Sequence, residues 1–153
     1  MTSTIRYRCG FTLVEVLIVV VILAILAATV IPQFAASTTD AKESALKFNL
    51  HSLRSQIEMY KLHHLGKVPT ITSGSLPQLT SATNVNGDIG TAGPNYPYGP
   101  YIMTALPPNP LTGKSTVTAT TTFPPTAESG AGGWLYHEAT GQIAPDSAGY
   151  LNW

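Results

Sequence analysis

The sequence predicts an α+β protein in which a long N-terminal α-helical stem packs against a small antiparallel β-sheet with long loops. Three observations lead to this fold class. An uncharged apolar run lies near the N-terminus, leucines at helical spacing follow it, and the C-terminal third is rich in Thr, Val and alternating aromatic residues. The length of 153 residues has room for one domain of ordinary size.

Charge is sparse and balanced along this chain. It carries 8 basic and 8 acidic side chains, and 10% of its residues are charged, against about 25% in typical soluble proteins. A protein that binds nucleic acid by neutralising phosphates needs a basic excess, so we expect no nucleic-acid partner. The single cysteine, Cys9, precedes the predicted folded region, which excludes a disulfide scaffold.

The apolar run has the length of a membrane span. No charged residue occurs between Glu15 and Asp40. At about 1.5 Å per helical residue, the stretch from Phe11 to Ile31 crosses the roughly 30 Å hydrocarbon layer of a bilayer. Arg6 and Arg8 precede the run with no acid nearby, which predicts a cytoplasmic N-terminus and an exported body.

Two ordinary interpretations of this N-terminus are a removable secretory signal and a plain membrane anchor. Residues 16–28 would serve as the apolar part of a signal, with a cut near residues 35–37. Neither interpretation accounts for Glu15. A carboxylate costs about 2.5 to 3.5 kcal/mol at the centre of a bilayer and somewhat less near its face, so something must compensate it.

The segment Gly10-Phe11-Thr12-Leu13-Val14-Glu15 explains the whole pattern. With a short basic leader before it and an apolar helix interrupted at Pro32 after it, it resembles the type IV pilin and type II secretion pseudopilin family. The resemblance implies that residues 1–10 are a prepilin leader, that a prepilin peptidase cuts between Gly10 and Phe11, and that Phe11 is N-methylated. It also implies that Glu15 pairs during assembly with the Phe11 amine of a neighbouring subunit.

Residues 11–39 are therefore predicted to form the transmembrane and filament-core helix, which we expect Pro32 to kink because proline removes a backbone hydrogen bond. An amphipathic helix over residues 40–65 follows, with Asp40 as its cap and Gly66 and Pro69 marking its end. Its apolar face is predicted from spacings of three and four residues at Leu46, Leu50, Leu53, Ile57 and Tyr60.

The remainder, with the amphipathic helix, makes up a periplasmic head over residues 40–153. We predict loops over 66–114 and a β-region over 115–153. Within the β-region, residues 115–123 are predicted to form one strand, and residues 133–146 two short strands around a turn at 139–141. Alternation predicts that Trp134 and Tyr136 face the helix while Leu135 and His137 face solvent.

Three later segments extend the resemblance to the core, or major, pseudopilins of type II secretion, the G type. They are Tyr60-Lys61-Leu62-His63-His64-Leu65-Gly66-Lys67-Val68-Pro69 and the pair Gly99-Pro100-Tyr101-Ile102 and Leu106-Pro107-Pro108-Asn109-Pro110. The resemblance implies a structural subunit in the inner membrane that forms a helical homopolymer, the periplasmic pseudopilus, and drives folded exoproteins through an outer-membrane secretin. Its implied partners are other copies of itself, minor pseudopilins, the prepilin peptidase and methyltransferase, an inner-membrane assembly platform, the lipid bilayer and secreted cargo.

Two alternatives stay open at this point. The first is a type IV pilus subunit for adhesion or motility, although such pili commonly carry a C-terminal disulfide loop and this chain has no cysteine after Cys9. The second is a membrane-anchored glycan-binding or cargo-binding module that never polymerises. Such a module would use exposed aromatic rings, for which the candidates are Tyr96, Tyr98, Tyr101, Trp134, Tyr136, Tyr150 and Trp153.

We expect no cofactor. Many core pseudopilins hold calcium in a C-terminal loop, and calcium needs six to eight oxygen ligands. Here the acids are scattered, so calcium is the less favoured interpretation and we predict that they are solvated: Asp88, Glu128, Glu138 and Asp146.

Catalytic chemistry is not expected either. The sequence has no Gly-x-Ser-x-Gly elbow and no phosphate-binding glycine loop with a lysine, so we predict that the protein is not an enzyme. Adjacent residues on a helix project about 100° apart, which is unsuitable for shared metal ligation by His63 and His64. We predict surface or capping roles for the four histidines, His51, His63, His64 and His137.

Overall fold

A computed structural model describes residues 10–153 of the chain. Arg6, Arg8, Cys9 and the leader before Gly10 lie outside the described residues. The elements are two helices, α1 (Leu13–His63) and α2 (Pro77–Thr80), and five strands, β1 (Ala82–Thr83), β2 (Ile89–Gly90), β3 (Val117–Ala119), β4 (Trp134–His137) and β5 (Gln142–Pro145). The chain divides into two units, one ending at Asp40 and one comprising Ala41–Trp153.

The first unit is the N-terminal part of α1. This helix is long and apolar enough to cross a membrane. Its backbone stays helical through Pro32, and the predicted kink at that residue stays a prediction. The predicted single long stem is confirmed, and Asp40 lies inside α1, so the prediction that it caps the amphipathic segment is wrong. The reason is that no residue between the two predicted segments stops the helical hydrogen bonding.

In the second unit, the C-terminal part of α1 supplies one side of the hydrophobic core. The predicted apolar face is confirmed, since its five side chains are at most 3% exposed: Leu46, Leu50, Leu53, Ile57 and Tyr60. The helix ends where Leu65 and Gly66 take positive φ values of 57° and 82°. The Gly66 amide donates to the Lys61 carbonyl at 2.8 Å, which satisfies one of the last free carbonyls of the helix.

A three-stranded sheet with the order β3-β4-β5 packs on this face. The turn predicted between β4 and β5 is present, and these strands pair antiparallel. β3 and β4 instead pair parallel, so the sheet is mixed. The cause is the segment 120–133, which carries the chain back to the starting end of β3 before β4 begins, as a parallel connection requires. The α+β fold class is confirmed.

The strand β4 is covered on both faces. Trp134 and Tyr136 belong to the core as predicted. The prediction that Leu135 faces solvent is wrong, because its side chain is only 3% exposed and lies opposite the buried Ala144 of β5. β4 is the central strand of the sheet, and both of its faces are covered by other parts of the head. The alternation of residues in β4 therefore did not distinguish a solvent-exposed face from a buried one.

The segment 66–114, which was predicted to form loops, is mostly irregular but also contains three short regular elements. The helix α2 lies within it, and β1 and β2 form a short antiparallel hairpin. The Asn84 side chain shapes the hairpin tip by accepting hydrogen bonds from the amides of Asn86 at 2.9 Å and Asp88 at 3.1 Å. Gly87 follows with a φ of 91°, a conformation that favours glycine.

Candidate assembly site

The predicted cleavage bond lies just before α1. Gly10 and Phe11 are outside the helix and exposed, with Phe11 at 74%. Among the described residues beyond its chain neighbours, none has an atom within 4 Å of the position that a Cβ on Gly10 would occupy. The described part of the protein therefore leaves the Gly10–Phe11 peptide open to an enzyme, and a larger side chain at Gly10 would not clash with it.

Thr12 and Glu15 form a reciprocal cap at the start of α1. The Thr12 amide and hydroxyl donate to Glu15 Oε2 at 3.3 and 3.2 Å. In return the Glu15 amide donates to Thr12 Oγ1 at 3.2 Å. This is a capping box, which satisfies backbone donors that the first turn leaves free. Sequence reasoning missed it, although Thr-x-x-Glu directly before an apolar run is its known pattern.

The cap places the Glu15 carboxylate at the N-terminal end of the helix. A negative charge is favoured there by the helix dipole. Cleavage after Gly10 would create a new amine at Phe11, the residue directly before Thr12. Gly10 and Phe11 thus directly precede the capped first turn that holds Glu15; these are the three residues predicted for processing and assembly.

The surface of α1 beyond this cap is apolar and open. Large apolar side chains are exposed on all sides of the helix, including Val16, Leu17, Ile18, Val19, Val20, Val21, Ile22, Leu23, Ile25 and Leu26. An exposed apolar surface of this extent needs lipid or other helices around it. The segment is therefore suited both to a bilayer and to a bundle of identical helices.

In the head, Asp146 accepts hydrogen bonds from the loop before β4. It is 2% exposed, so the prediction that it is solvated is wrong. Its carboxylate accepts hydrogen bonds from the Ser129 amide at 2.7 Å, the Ser129 hydroxyl at 2.5 Å and the Gly132 amide at 3.0 Å. Three donors compensate the burial of this charge and hold the segment 120–133 against the sheet.

The three other acids considered for calcium, Asp88, Glu128 and Glu138, are exposed and far apart in sequence. Glu128 accepts from the Ala148 amide at 3.0 Å, and Glu138 accepts from the Ile71 amide at 2.7 Å. Asp88 accepts from Asn84 Nδ2 at 2.9 Å. Among residues 10–153, no group of three or more His, Cys, Asp or Glu side chains could hold a metal ion. These three acids thus act as hydrogen-bond acceptors for loops.

The histidines at the end of α1 belong to an aromatic cluster. His64 is fully buried, so a surface role is wrong for it, whereas its contact with a carbonyl at the helix end fits the predicted capping role. Its Nδ1 lies 2.7 Å from the Tyr60 carbonyl and its Nε2 lies 2.9 Å from Thr83 Oγ1. His63 Nδ1 lies 2.9 Å from Tyr101 Oη. The cluster ties the end of α1 to the hairpin and to the loop that contains Tyr101.

Two of the aromatic residues named as candidates for glycan or cargo binding are core residues. Trp134 donates from Nε1 to the Pro107 carbonyl at 2.9 Å, and Tyr136 donates from Oη to the Pro69 carbonyl at 2.8 Å. Both side chains are fully buried, so neither can be part of an exposed ligand platform. Burial raises the pKa of Tyr136, with a further contribution from the negative charge of Glu138. Burial also raises the pKa of Tyr101, to about 12.

Arg54 makes a long-range structural contact in the head that the sequence did not reveal. Its guanidinium donates to the Ile143 carbonyl from Nε at 3.3 Å and from Nη2 at 3.0 Å, and also to the Trp153 carbonyl. It thereby satisfies an outward carbonyl on the edge strand β5. Desolvation lowers the pKa of Arg54. No local pattern points to such a contact, because its acceptor is far away in sequence.

Known proteins were compared with the chain. The family described as the prokaryotic N-terminal methylation motif matches residues 5–31. The type II secretion system core protein G of Klebsiella pneumoniae is 36% identical over 101 residues, which cover 66% of this chain and 67% of the relative. The protein of the same name in Vibrio cholerae is 35% identical over 105 residues, covering 69% of this chain and 66% of the relative. No solved structure gives a significant match.

These two relatives each match about two thirds of this chain. The alignment with the core protein G of Pseudomonas aeruginosa, at 44% identity, spans 40% of that relative's length. The apolar helix with its methylation motif and the small α+β head define a pilin-like protein. Within that class, the chain belongs to the family of type II secretion system core protein G, the core pseudopilins.

Proposed function

We propose that this protein is a structural, non-enzymatic subunit that polymerises from the inner membrane into a type II secretion pseudopilus. Growth of the filament drives folded exoproteins through an outer-membrane secretin. One observation carries the proposal. A membrane-length helix with an exposed apolar surface has the Glu15 carboxylate in its first turn, hydrogen-bonded to Thr12, which directly follows Phe11.

Maturation is the first step. A prepilin peptidase cuts between Gly10 and Phe11 on the cytoplasmic side, and the same class of enzyme methylates the Phe11 amine. A methylated secondary amine stays protonated at neutral pH, so the mature helix begins with a cation. The exposure of both residues outside α1 supports this step.

Glu15 provides the selectivity of assembly. In an apolar bundle an unpaired carboxylate must lose its hydration or take up a proton, and both are costly. The amine of Phe11 on an incoming subunit neutralises Glu15 of a docked one when the two helices stand in the correct register. Buried ion pairs often contribute little net stability, so the pair selects the register more than it strengthens the filament.

Before assembly the subunit spans the inner membrane once, with its N-terminus in the cytoplasm and its head in the periplasm. Its partners there are the bilayer, the assembly platform, minor pseudopilins and exported cargo. The head requires no cofactor in this proposal. Support comes from the direct hydrogen bonds of Asp146, which hold the C-terminal loop with protein donors.

The intact mass of the chain recovered from sheared or detergent-extracted filaments tests the proposal. A mass that begins at N-methyl-Phe11 is expected. A chain that keeps residues 1–10 and sediments only with membranes would instead be an anchored binding module. Fibres on the cell surface without any effect on export would identify a type IV pilus subunit.

A further inference from the structure

A groove on the head is lined by basic and apolar side chains. Its volume is about 280 Å³, and its lining residues are Lys47, Leu50, His51, Arg54 and Trp153. Lys47 Nζ lies 4.6 Å from the centroid of a Trp153 ring. No acidic side chain is among the described residues that line the groove. The groove therefore offers positive charge next to apolar surface.

The tip of the β1–β2 hairpin has the complementary character. Asp88 is exposed there, and the apolar side chains beside it are also exposed, Val85 at 39% and Ile89 at 46%. The tip is already ordered in the single chain. Asn84 Nδ2 donates to Asp88 Oδ2 at 2.9 Å, and the Asn84 amide donates to the Asp88 carbonyl at 3.0 Å. Such a preformed tip loses little conformational entropy when it docks.

The groove and the tip lie at different levels of α1. The groove uses residues 47–54 of the helix. The tip lies by the end of the helix, where Lys67 Nζ contacts Asn86 at 3.4 Å and a Cβ on Gly87 would meet Tyr60 Oη at 2.5 Å. About ten helical residues correspond to roughly 15 Å of rise. One head thus presents both halves of an interface at separate places.

We propose that the hairpin tip of one copy docks into this groove of the next copy, with Asp88 facing Lys47 and His51 and with Val85 and Ile89 over Leu50 and Trp153. The inference rests on the proposed polymerisation and adds the contact between heads. Two different patches make a heterologous interface. Such an interface repeats without closing when its rotation does not close a ring, which gives a filament.

Disulfide crosslinking tests the contact in the full chain. Lys47→Cys and Asp88→Cys are combined in a Cys9→Ser background, so that uncut precursor carries no other cysteine either. Both replaced side chains are exposed. We expect oxidised filaments to give a ladder of dimers, trimers and higher multimers that collapses on reduction. The single-cysteine variants should give no ladder, and neither should the matched pair Lys47→Cys with Glu138→Cys, which uses another exposed acid.

Charge reversal supplies a second measurement that needs no disulfide. Like charges facing one another are unfavourable, so Lys47→Glu and Asp88→Lys should each lower filament yield by about tenfold. The double variant should recover most of the yield. Normal filaments without a ladder, or a double variant no better than the singles, would overturn the docking contact. Absence of any filament from the wild-type chain would overturn the proposed function instead.

Discussion

The side chain of Thr12 and that of Glu15 cap each other at the first turn of α1, with the Thr12 hydroxyl 3.2 Å from Glu15 Oε2. The carboxylate that we propose to act in assembly therefore has a hydrogen-bond partner within its own chain. This explains how a membrane helix tolerates Glu15. Its charge sits at the favoured end of the helix dipole and accepts local hydrogen bonds.

Glu15→Leu should abolish filament assembly and secretion while leaving export, cleavage and the folded head intact. The reason is that the leucine cannot neutralise the Phe11 amine of a neighbour. Filament yield and the mass of the chain measure the two effects separately. Glu15→Gln is the matched control, because glutamine also serves in a capping box but carries no charge. Wild-type assembly by the glutamine variant would show that capping, and not charge, is the role of Glu15.

Replacing Gly10 by a bulky residue such as valine should leave the precursor uncut. The described protein has free space at this position, so the change should not disturb α1. Any loss of cleavage would then report a close approach of the peptidase to the backbone at Gly10. Intact mass shows whether residues 1–10 remain. Normal processing of the valine variant would refute this cleavage site.

Asp146→Ala should destabilise the head by about 2 to 3 kcal/mol or more, because it leaves buried donors of Ser129 and Gly132 without an acceptor. Denaturant unfolding of the chain in detergent measures the loss. Glu128→Ala is the matched control, since that carboxylate is exposed and accepts one hydrogen bond. If Asp146→Ala lowered the free energy of unfolding no more than the control does, the stabilising role of the Asp146 hydrogen bonds would be contradicted.

Calcium should not stabilise the head, since protein donors already occupy the buried carboxylate of Asp146. We expect the melting temperature to stay the same in millimolar calcium and in chelator. A rise of many degrees with calcium, reversed by chelator, would restore a metal site in the C-terminal loop.

Stability should fall at alkaline pH because folding raises the pKa of buried tyrosines. The folded state favours the neutral phenol, so this contribution is fully present below the unfolded pKa of 10.0 and is lost as pH rises toward about 12, the folded value for Tyr101. Denaturant midpoints across this range measure the loss. Tyr136→Phe removes one such group and should lessen the pH dependence. A midpoint that does not change over this range would contradict the linkage.

Periodic features of the fold were predictable from the sequence. The apolar face from Leu46 to Tyr60 repeats at helical spacing, and a turn with glycine joins β4 to β5. Such patterns are local, so they can be recognised in a window of a few residues. The assembly residues Gly10, Phe11 and Glu15 were predictable for a related reason, since they fall within one short motif.

Long-range features were not predictable in this way. Arg54 bonds Ile143 on β5, and Asp146 collects donors from the loop before β4. Neither contact leaves a spacing in the sequence, because the partners meet only after the sheet has packed on α1. The parallel pairing of β3 with β4 depends likewise on the path of the segment 120–133. The strands β1 and β2 have two residues each, which is too short for any alternation.

The export of folded proteins by a deletion strain tests the central claim most directly. The proposed role predicts that exoproteins accumulate in the periplasm when the gene is deleted, that the wild-type gene restores their export, and that Glu15→Leu as the only copy does not. Normal export by the deletion strain, together with loss of surface fibres, would contradict a pseudopilus and identify a type IV pilus instead.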